Sequence, residues 1–137
     1  MVFWLWPCFY LSLNYPAPSR DKEEERMKIA HKLLNDKVIF SPKGEITIQT
    51  LELLREKMTP FIEKDIKYIL IDMGGVKYID SAGLSLLIEE HKALEKRGKS
   101  LVITNLGGNV AKVIEITKLT KLFRIYSSNE DAFSALK

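Results

Sequence analysis

The segment Gly83-Leu-Ser85-Leu-Leu87 sets a serine in nearly the spacing of a hydrolase nucleophile elbow, G-x-S-x-G. The elbow needs its last glycine so that strand and helix can approach closely, and Leu87 stands there instead. Ser85 also falls inside a stretch with helical patterning, not at a strand-to-helix turn. A general base would have to be His31 or His91, and His91 lies on the apolar side of that same stretch. An acyl-transfer enzyme is therefore poorly supported. Gly74-Gly75 and Gly107-Gly108 extend neither to G-x-G-x-x-G nor to a phosphate loop with its Lys-Ser/Thr, so tight turns are the better reading. Asp72 and Asp80 could pair as acid and base, but Asp72 sits in an apolar run and no third group supports them. Cys8 is the single cysteine, which excludes an intramolecular disulfide and a multi-cysteine metal cage.

The segment Tyr78-Ile-Asp-Ser-Ala-Gly-Leu84 differs from these. Asp80 and Ser81 are small, polar and turn-forming, and they precede the best helix pattern in the chain. Ser81 is expected at or near the N-cap, where first-turn N–H groups are unpaired and the helix dipole is positive. Gly83 would let the chain bend tightly and leave the serine uncrowded. A serine there is most often only a cap. It can also be a phosphoacceptor, because a helix N-terminus tolerates an added phosphate and the surface then gains about −1.5 to −2 charge.

Elements must hold that segment in place. Apolar alternation predicts a strand over 27–34, a turn at Asn35-Asp36 and a second strand over 38–41, together a hairpin. Pro42, lacking an N–H, should mark a strand end or edge. Residues 44–50 read as a connection. Leu51, Leu53, Leu54, Met58, Phe61 and Ile62 give helical spacing over 50–64, with Thr50 as a possible cap and Pro60 as a kink or break. The continuous apolar run over 68–73 predicts a strand buried on both faces. Residues 76–79 read as a short link. A helix comes next over 81–97, with Leu84, Leu87, Ile88, His91 and Leu94 as its stripe and Gly98 as its stop. Residues 100–104 predict another buried strand, Asn109 a cap for a helix to about 117, and 122–125 a last strand. Ser128 with Asp131 resembles a capping box that opens a final helix over 130–136. The order β-β-α-β-α-β-α-β-α predicts an α/β domain: a central mixed, mostly parallel sheet with an opening hairpin, flanked by about four helices.

Length and composition bound the rest. The chain has 137 residues, 46% apolar and 28% charged, ordinary for one soluble domain with a real core. Lys and Arg number 21 against 18 acids, a net of +3 that is too small and too evenly scattered for a nucleic-acid partner. Residues 1–26 do not match the rest of the chain. Six of the 13 aromatics fall by Tyr15: Phe3, Trp4, Trp6, Phe9, Tyr10 and Tyr15. The apolar run is shorter than the roughly 18–20 residues that span a bilayer, Pro7 interrupts it, and no Lys or Arg precedes Arg20, unlike a signal peptide. Three readings stand: an aromatic arm that packs on its own domain or a partner, a weak membrane-surface anchor, or upstream sequence that is not translated, with Met27 as the start. The expected division is an extension over 1–26 and one domain over 27–137.

The stretch Ile71-Asp-Met-Gly-Gly-Val-Lys-Tyr-Ile-Asp-Ser-Ala-Gly-Leu84 resembles the signature of STAS domains, specifically of bacterial anti-sigma factor antagonists. Gly44-Glu-Ile46 is similar to the family's earlier Gly-Glu-Leu/Ile element. Ser100-Leu-Val-Ile-Thr-Asn105 and the Leu-Thr-x-Leu-Phe pattern over 119–123 fit its C-terminal half. The resemblance implies a STAS-like single domain, non-enzymatic and cytoplasmic, with no cofactor, no nucleic acid and no membrane partner. It implies that the domain sequesters an ATP-dependent serine kinase that is also an anti-sigma factor. Phosphorylation of Ser81 would switch it off, and a PP2C-type phosphatase would reset it. Asp80 would shape the loop. The docking region would comprise Asp80, Ser81, Ala82, Gly83, Leu84 and Ser85 with Gly44, Glu45 and Thr47. Thr47 stands where many relatives carry an acid, and Ser85 where many carry glycine; burial or helix geometry should shield the Ser85 hydroxyl. The alternative it implies is a structural subunit of a lipid-transport ATPase or signalling assembly, in which the helix at Ser81 docks without phosphate chemistry.

Overall fold

The computed structural model describes residues 26–136. The readings made for residues 1–25 lie outside them. Strands β1 (Met27–Leu34) and β2 (Lys37–Ile46) form the expected antiparallel hairpin, closed by Asn35 at φ 53°. Then come α1 (Leu51–Ile62), β3 (Tyr68–Asp72), β4 (Val76–Ile79), α2 (Ser81–Lys96), β5 (Ser100–Thr104), α3 (Gly108–Ile116), β6 (Arg124–Tyr126) and α4 (Asn129–Ala135). The sheet runs β1-β2-β3-β5-β6, with β4 paired to β2 alone. Every pairing after the hairpin is parallel.

Alternation along the central strands sends side chains to two cores. Ile69, Ile71, Leu101 and Ile103 face the larger one, which α1, α2 and α3 cover with Leu54, Met58, Leu87, Leu94, Val110 and Ile114. Leu70 and Val102 face the smaller one, which is closed by Ala132 of α4 and by Leu136 just after it. Burial on both faces explains the unbroken apolar runs. Each fully buried Leu or Ile contributes about 1.5–3 kcal/mol.

Several local expectations are corrected. β2 does not end at Ser41 but runs ten residues to Ile46. Its first part pairs with β3 as far as Phe40, and its last part pairs with β4 from Gly44. Pro42 falls in the gap between these pairings, so its missing N–H breaks no parallel ladder there, and it sits mid-strand. The link over 76–79 is β4, a strand in its own right. α1 continues through Pro60, which lies in its last turn. Asn109 is not a cap: α3 starts at Gly108 behind Gly107, without a side-chain cap. The last strand begins at Arg124, because Leu119–Lys121 winds into a 3-10 turn first. The Ser128 cap is observed, its Oγ accepting from the Asp131 N–H at 3.1 Å.

Candidate functional site

The C-terminal ends of β2 and β4 lie side by side, with Ile46 paired to Ile79. The chain leaving β4 turns at Asp80 into α2. Asp80, not Ser81, is the N-cap: its backbone is extended (φ −100°, ψ −178°) and its Oδ1 accepts from the Gly83 N–H at 2.8 Å. A carboxylate reaches the third N–H of the helix more readily than the next residue's short hydroxyl, so the cap falls one residue earlier than expected. The second carboxylate oxygen, Oδ2, accepts from the Ile48 N–H at 3.0 Å. Asp80 N–H in turn donates to Ile46 O at 3.2 Å. One side chain thus ties the end of β2, the loop after it and the first turn of α2 into one unit.

Ser81 is the first residue of α2 and is exposed. No described residue hydrogen-bonds to its hydroxyl. Ser85, one turn on, is also exposed, so the expected shielding of its hydroxyl does not occur. It points outward because Leu86, Leu87 and Glu90 take the inward positions of this helix. Ala82 and Leu84 are half-buried against the larger core. Gly83 is buried, and its role is not a tight bend. A Cβ there would lie 2.5 Å from Ile46 O and 2.8 Å from Ile79 Cγ1, so only glycine lets the helix press on the strand ends. Glu45 is exposed, and Gly44 is half-buried at φ 121° with its N–H donating to Gly75 O at 2.9 Å. Thr47 shapes the loop: its Oγ1 accepts from the Gln49 N–H at 3.3 Å, and its own N–H donates to Thr50 Oγ1 at 2.9 Å.

All nine residues expected in the docking region therefore gather at one end of the sheet, but Gly83 offers no surface and Leu84 little. The sequence reading missed Ile48, 68% exposed and held beside the serine by Asp80, and Tyr78, 51% exposed on β4. Strand alternation would have put Tyr78 on the side of buried Val76, so the pattern gave no signal for the second; Lys77 and Tyr78 are both exposed. Nothing in the sequence marks Ile48.

The other chemical candidates resolve into structure. Asp72 Oδ1 accepts from the Gly74 N–H at 2.9 Å and from Asn105 Nδ2 at 3.0 Å, and its Oδ2 accepts from Asn129 Nδ2 at 3.1 Å. It is a brace between β3, the loop after β5 and α4, not half of an acid–base pair with Asp80. His91 is buried edge-on to Phe123, with ring centroids 5.6 Å apart. Among the described residues no group of three or more His, Cys, Asp or Glu could hold a metal ion, and no helix is long and apolar enough to cross a membrane.

The family model for the STAS domain matches residues 28–132. This chain belongs to the STAS domain family. Two similar curated proteins are anti-sigma-B factor antagonists. That of Bacillus subtilis (strain 168) is 34% identical over 89 residues, covering 64% of this chain and 79% of the relative. That of Staphylococcus aureus (strain NCTC 8325) is 31% identical over 87 residues, covering 64% and 81%. The anti-sigma factor antagonist SpoIIAA in its unphosphorylated form superposes with a TM-score of 0.69 at 19% identity, covering 80% of this chain and 96% of its own. The phosphorylated form of SpoIIAA from Bacillus gives 0.64 at 18% identity, covering 80% and 100%. In this STAS domain the sheet is the expected mixed, mostly parallel one with four α-helices.

Proposed function

We propose that this STAS domain is an anti-sigma factor antagonist: a binding protein, not an enzyme, that occupies an anti-sigma factor and is released by phosphorylation of Ser81. The observation that carries the reading is the uncovered Ser81 hydroxyl at the first position of a 16-residue helix, beside a loop locked by Asp80. The naming of both curated relatives as antagonists supports the partner class. That SpoIIAA occurs in phosphorylated and unphosphorylated forms supports a phosphate switch on this fold.

The chemistry follows from the position. The partner kinase brings ATP; Ser81 Oγ attacks the γ-phosphorus, the bond to the β-phosphate oxygen breaks, ADP leaves, and the serine proton passes to a base on the kinase. The new group meets a positive helix end, and the Ser81 and Ala82 N–H groups have no acceptor among the described residues. The fold survives. The docked interface does not, because a dianion there must be desolvated or face like charge at a cost of several kcal/mol, and about 2.8 kcal/mol already changes affinity a hundredfold. A PP2C-type phosphatase would restore the free hydroxyl.

The test is incubation with ATP and candidate anti-sigma serine kinases, with the modified residue mapped by mass spectrometry. Single labelling at Ser81, abolished in Ser81→Ala, is the expected result. Undiminished labelling of Ser81→Ala rejects the reading.

A further inference from the structure

The positive charge that looks scattered along the sequence is gathered by the hairpin. Register places Lys28 directly opposite Lys43, on the face of β1 and β2 away from the larger core. Side chains in that position stand about 5 Å apart at their Cβ atoms, and like charges so placed repel. Lys77 on β4 and Arg26 at the head of β1 join them around one wide, solvent-open depression in which Glu45 is the single acid. All four cations are exposed, and none forms an ion pair with a described residue. Two glycines form its floor. Gly44 and Gly75 are bonded backbone to backbone at 2.9 Å, and a Cβ on Gly75 would lie 2.8 Å from Lys43 Cγ.

We propose that the basin formed by Arg26, Lys28, Lys43 and Lys77 receives an acidic face of the protein partner that docks at Ser81. The inference rests on the function proposed above. Breadth and openness suit a protein surface better than a small ligand. Three of the four cations are lysines, which act as mobile point charges that steer a partner, without the fixed fork that reads single phosphates. Continuity decides the partner. The basin and the serine share the end of the sheet where β4 pairs with β2, the basin around the Gly44–Val76 pair and the serine just past the Ile46–Ile79 pair, and the four residue steps from Lys77 to Ser81 span at most about 13 Å of extended chain. That distance is between one and two screening lengths at physiological salt, so phosphate on Ser81 weakens the basin's field as well as blocking the docked surface. The switch then acts on the approach of the partner and not only on the fit.

The experiment uses the full chain and a fluorescent peptide of alternating Glu and Ser, with the Gln-Ser peptide as control and phosphatidylserine vesicles as a second probe. The acidic peptide is expected to bind, with affinity falling about tenfold between low and physiological salt. Lys43→Glu with Lys77→Glu is expected to lose a further tenfold or more with a thermal midpoint no lower than that of wild type, since it also removes the Lys28–Lys43 repulsion. The milder pair Lys28→Gln with Lys77→Gln, which adds no acid, is expected to show an intermediate loss. Ser81→Ala is expected to bind the peptide as wild type does, so failure of the basin and failure of the phosphoacceptor are read separately. Equal binding of both peptides, or no loss in either double variant, overturns the proposal. So does charge-dependent binding of vesicles without peptide binding. Peptide binding that appears only after Glu23, Glu24 and Glu25 are changed to Gln also overturns it, because the basin is then filled by this chain's own acidic run.

Discussion

Asp80 accepts the Ile48 N–H at 3.0 Å across 32 residues of sequence, and so the loop after β2 moves with the first turn of α2. The same carboxylate caps Gly83 through its other oxygen. Asp80→Ala removes both bonds and is expected to cost about 1–2 kcal/mol. Asp80→Asn keeps one acceptor oxygen and should fall between. Urea denaturation gives the stability loss, and amide exchange at Ile48 and Gly83 shows which contact the asparagine retains. Faster exchange at both amides in Asp80→Ala, with a partner affinity that falls by more than the stability loss explains, is the expected result. Unchanged exchange at Ile48 would show the loop to be held by other contacts.

Ser81 is expected to bear on binding and not on the fold. An acid at the first helical position interacts favourably with the dipole by about 0.3–1 kcal/mol, and no described hydrogen bond is lost there. Ser81→Asp should therefore leave stability within about 1 kcal/mol of wild type while it weakens the complex with the partner. A thermal scan and a binding titration on the same samples separate the two. A large drop in stability with unaltered affinity would make the serine a structural residue.

Gly83 and Gly107 look alike in sequence, yet the structure distinguishes them. A methyl at Gly83 collides with Ile46 O, whereas nothing lies within 4 Å of one at Gly107, whose φ is −160°. Gly83→Ala should cost about 1–3 kcal/mol and shift α2 off the strand ends, lowering partner affinity as well. Gly107→Ala should be neutral or slightly stabilising, because it restricts the unfolded chain. Chemical denaturation of the pair checks the contrast.

The contrast shows what a sequence can carry. The buried strands at 68–72 and 100–104, the α2 helix and the hairpin were legible because periodicity and apolar runs are local signals. The Asp80-Ser81 turn was legible for the same reason. The cap at Asp80 rather than Ser81, the close approach at Gly83 and the loop contact to Ile48 depend on where β2 ends, which no local pattern states. The strand β4 was missed because four residues with a buried residue at each end, Val76 and Ile79, give too short a period to recognise. The basic basin was missed because Lys28, Lys43 and Lys77 are distant in sequence and only register brings them together.

That register has a stability consequence. Lys28 and Lys43 repel across the hairpin, so Lys43→Thr should raise stability by about 0.2–1 kcal/mol, with the gain shrinking as salt screens the repulsion. The same change should weaken binding of an acidic probe. Denaturation at low and high salt is the check, and a gain that ignores salt would trace to strand propensity instead of charge.

Glu90 makes the opposite kind of sacrifice, inside the protein. It is only 8% exposed on α2, and its Oε2 has no hydrogen-bond partner, while the nearby Arg55 is drawn towards Glu89 at 3.3 Å and Glu52 at 3.7 Å. Burial raises its pKa above the usual carboxylate value; Arg55 opposes this, and Glu89 adds to it. Because the folded-state value exceeds the unfolded one, the native protein holds a proton that the unfolded chain has lost over the interval between them. Stability therefore falls as pH rises from the ordinary glutamate range through the raised value. Glu90→Gln removes that slope and the buried charge together. It should be more stable than wild type near neutral pH, by about 1 kcal/mol, and nearly equal to it in acid. Urea midpoints measured from pH 4 to pH 8 test this. A variant less stable than wild type at neutral pH would mean that Arg55 needs Glu90 more than burial penalises it.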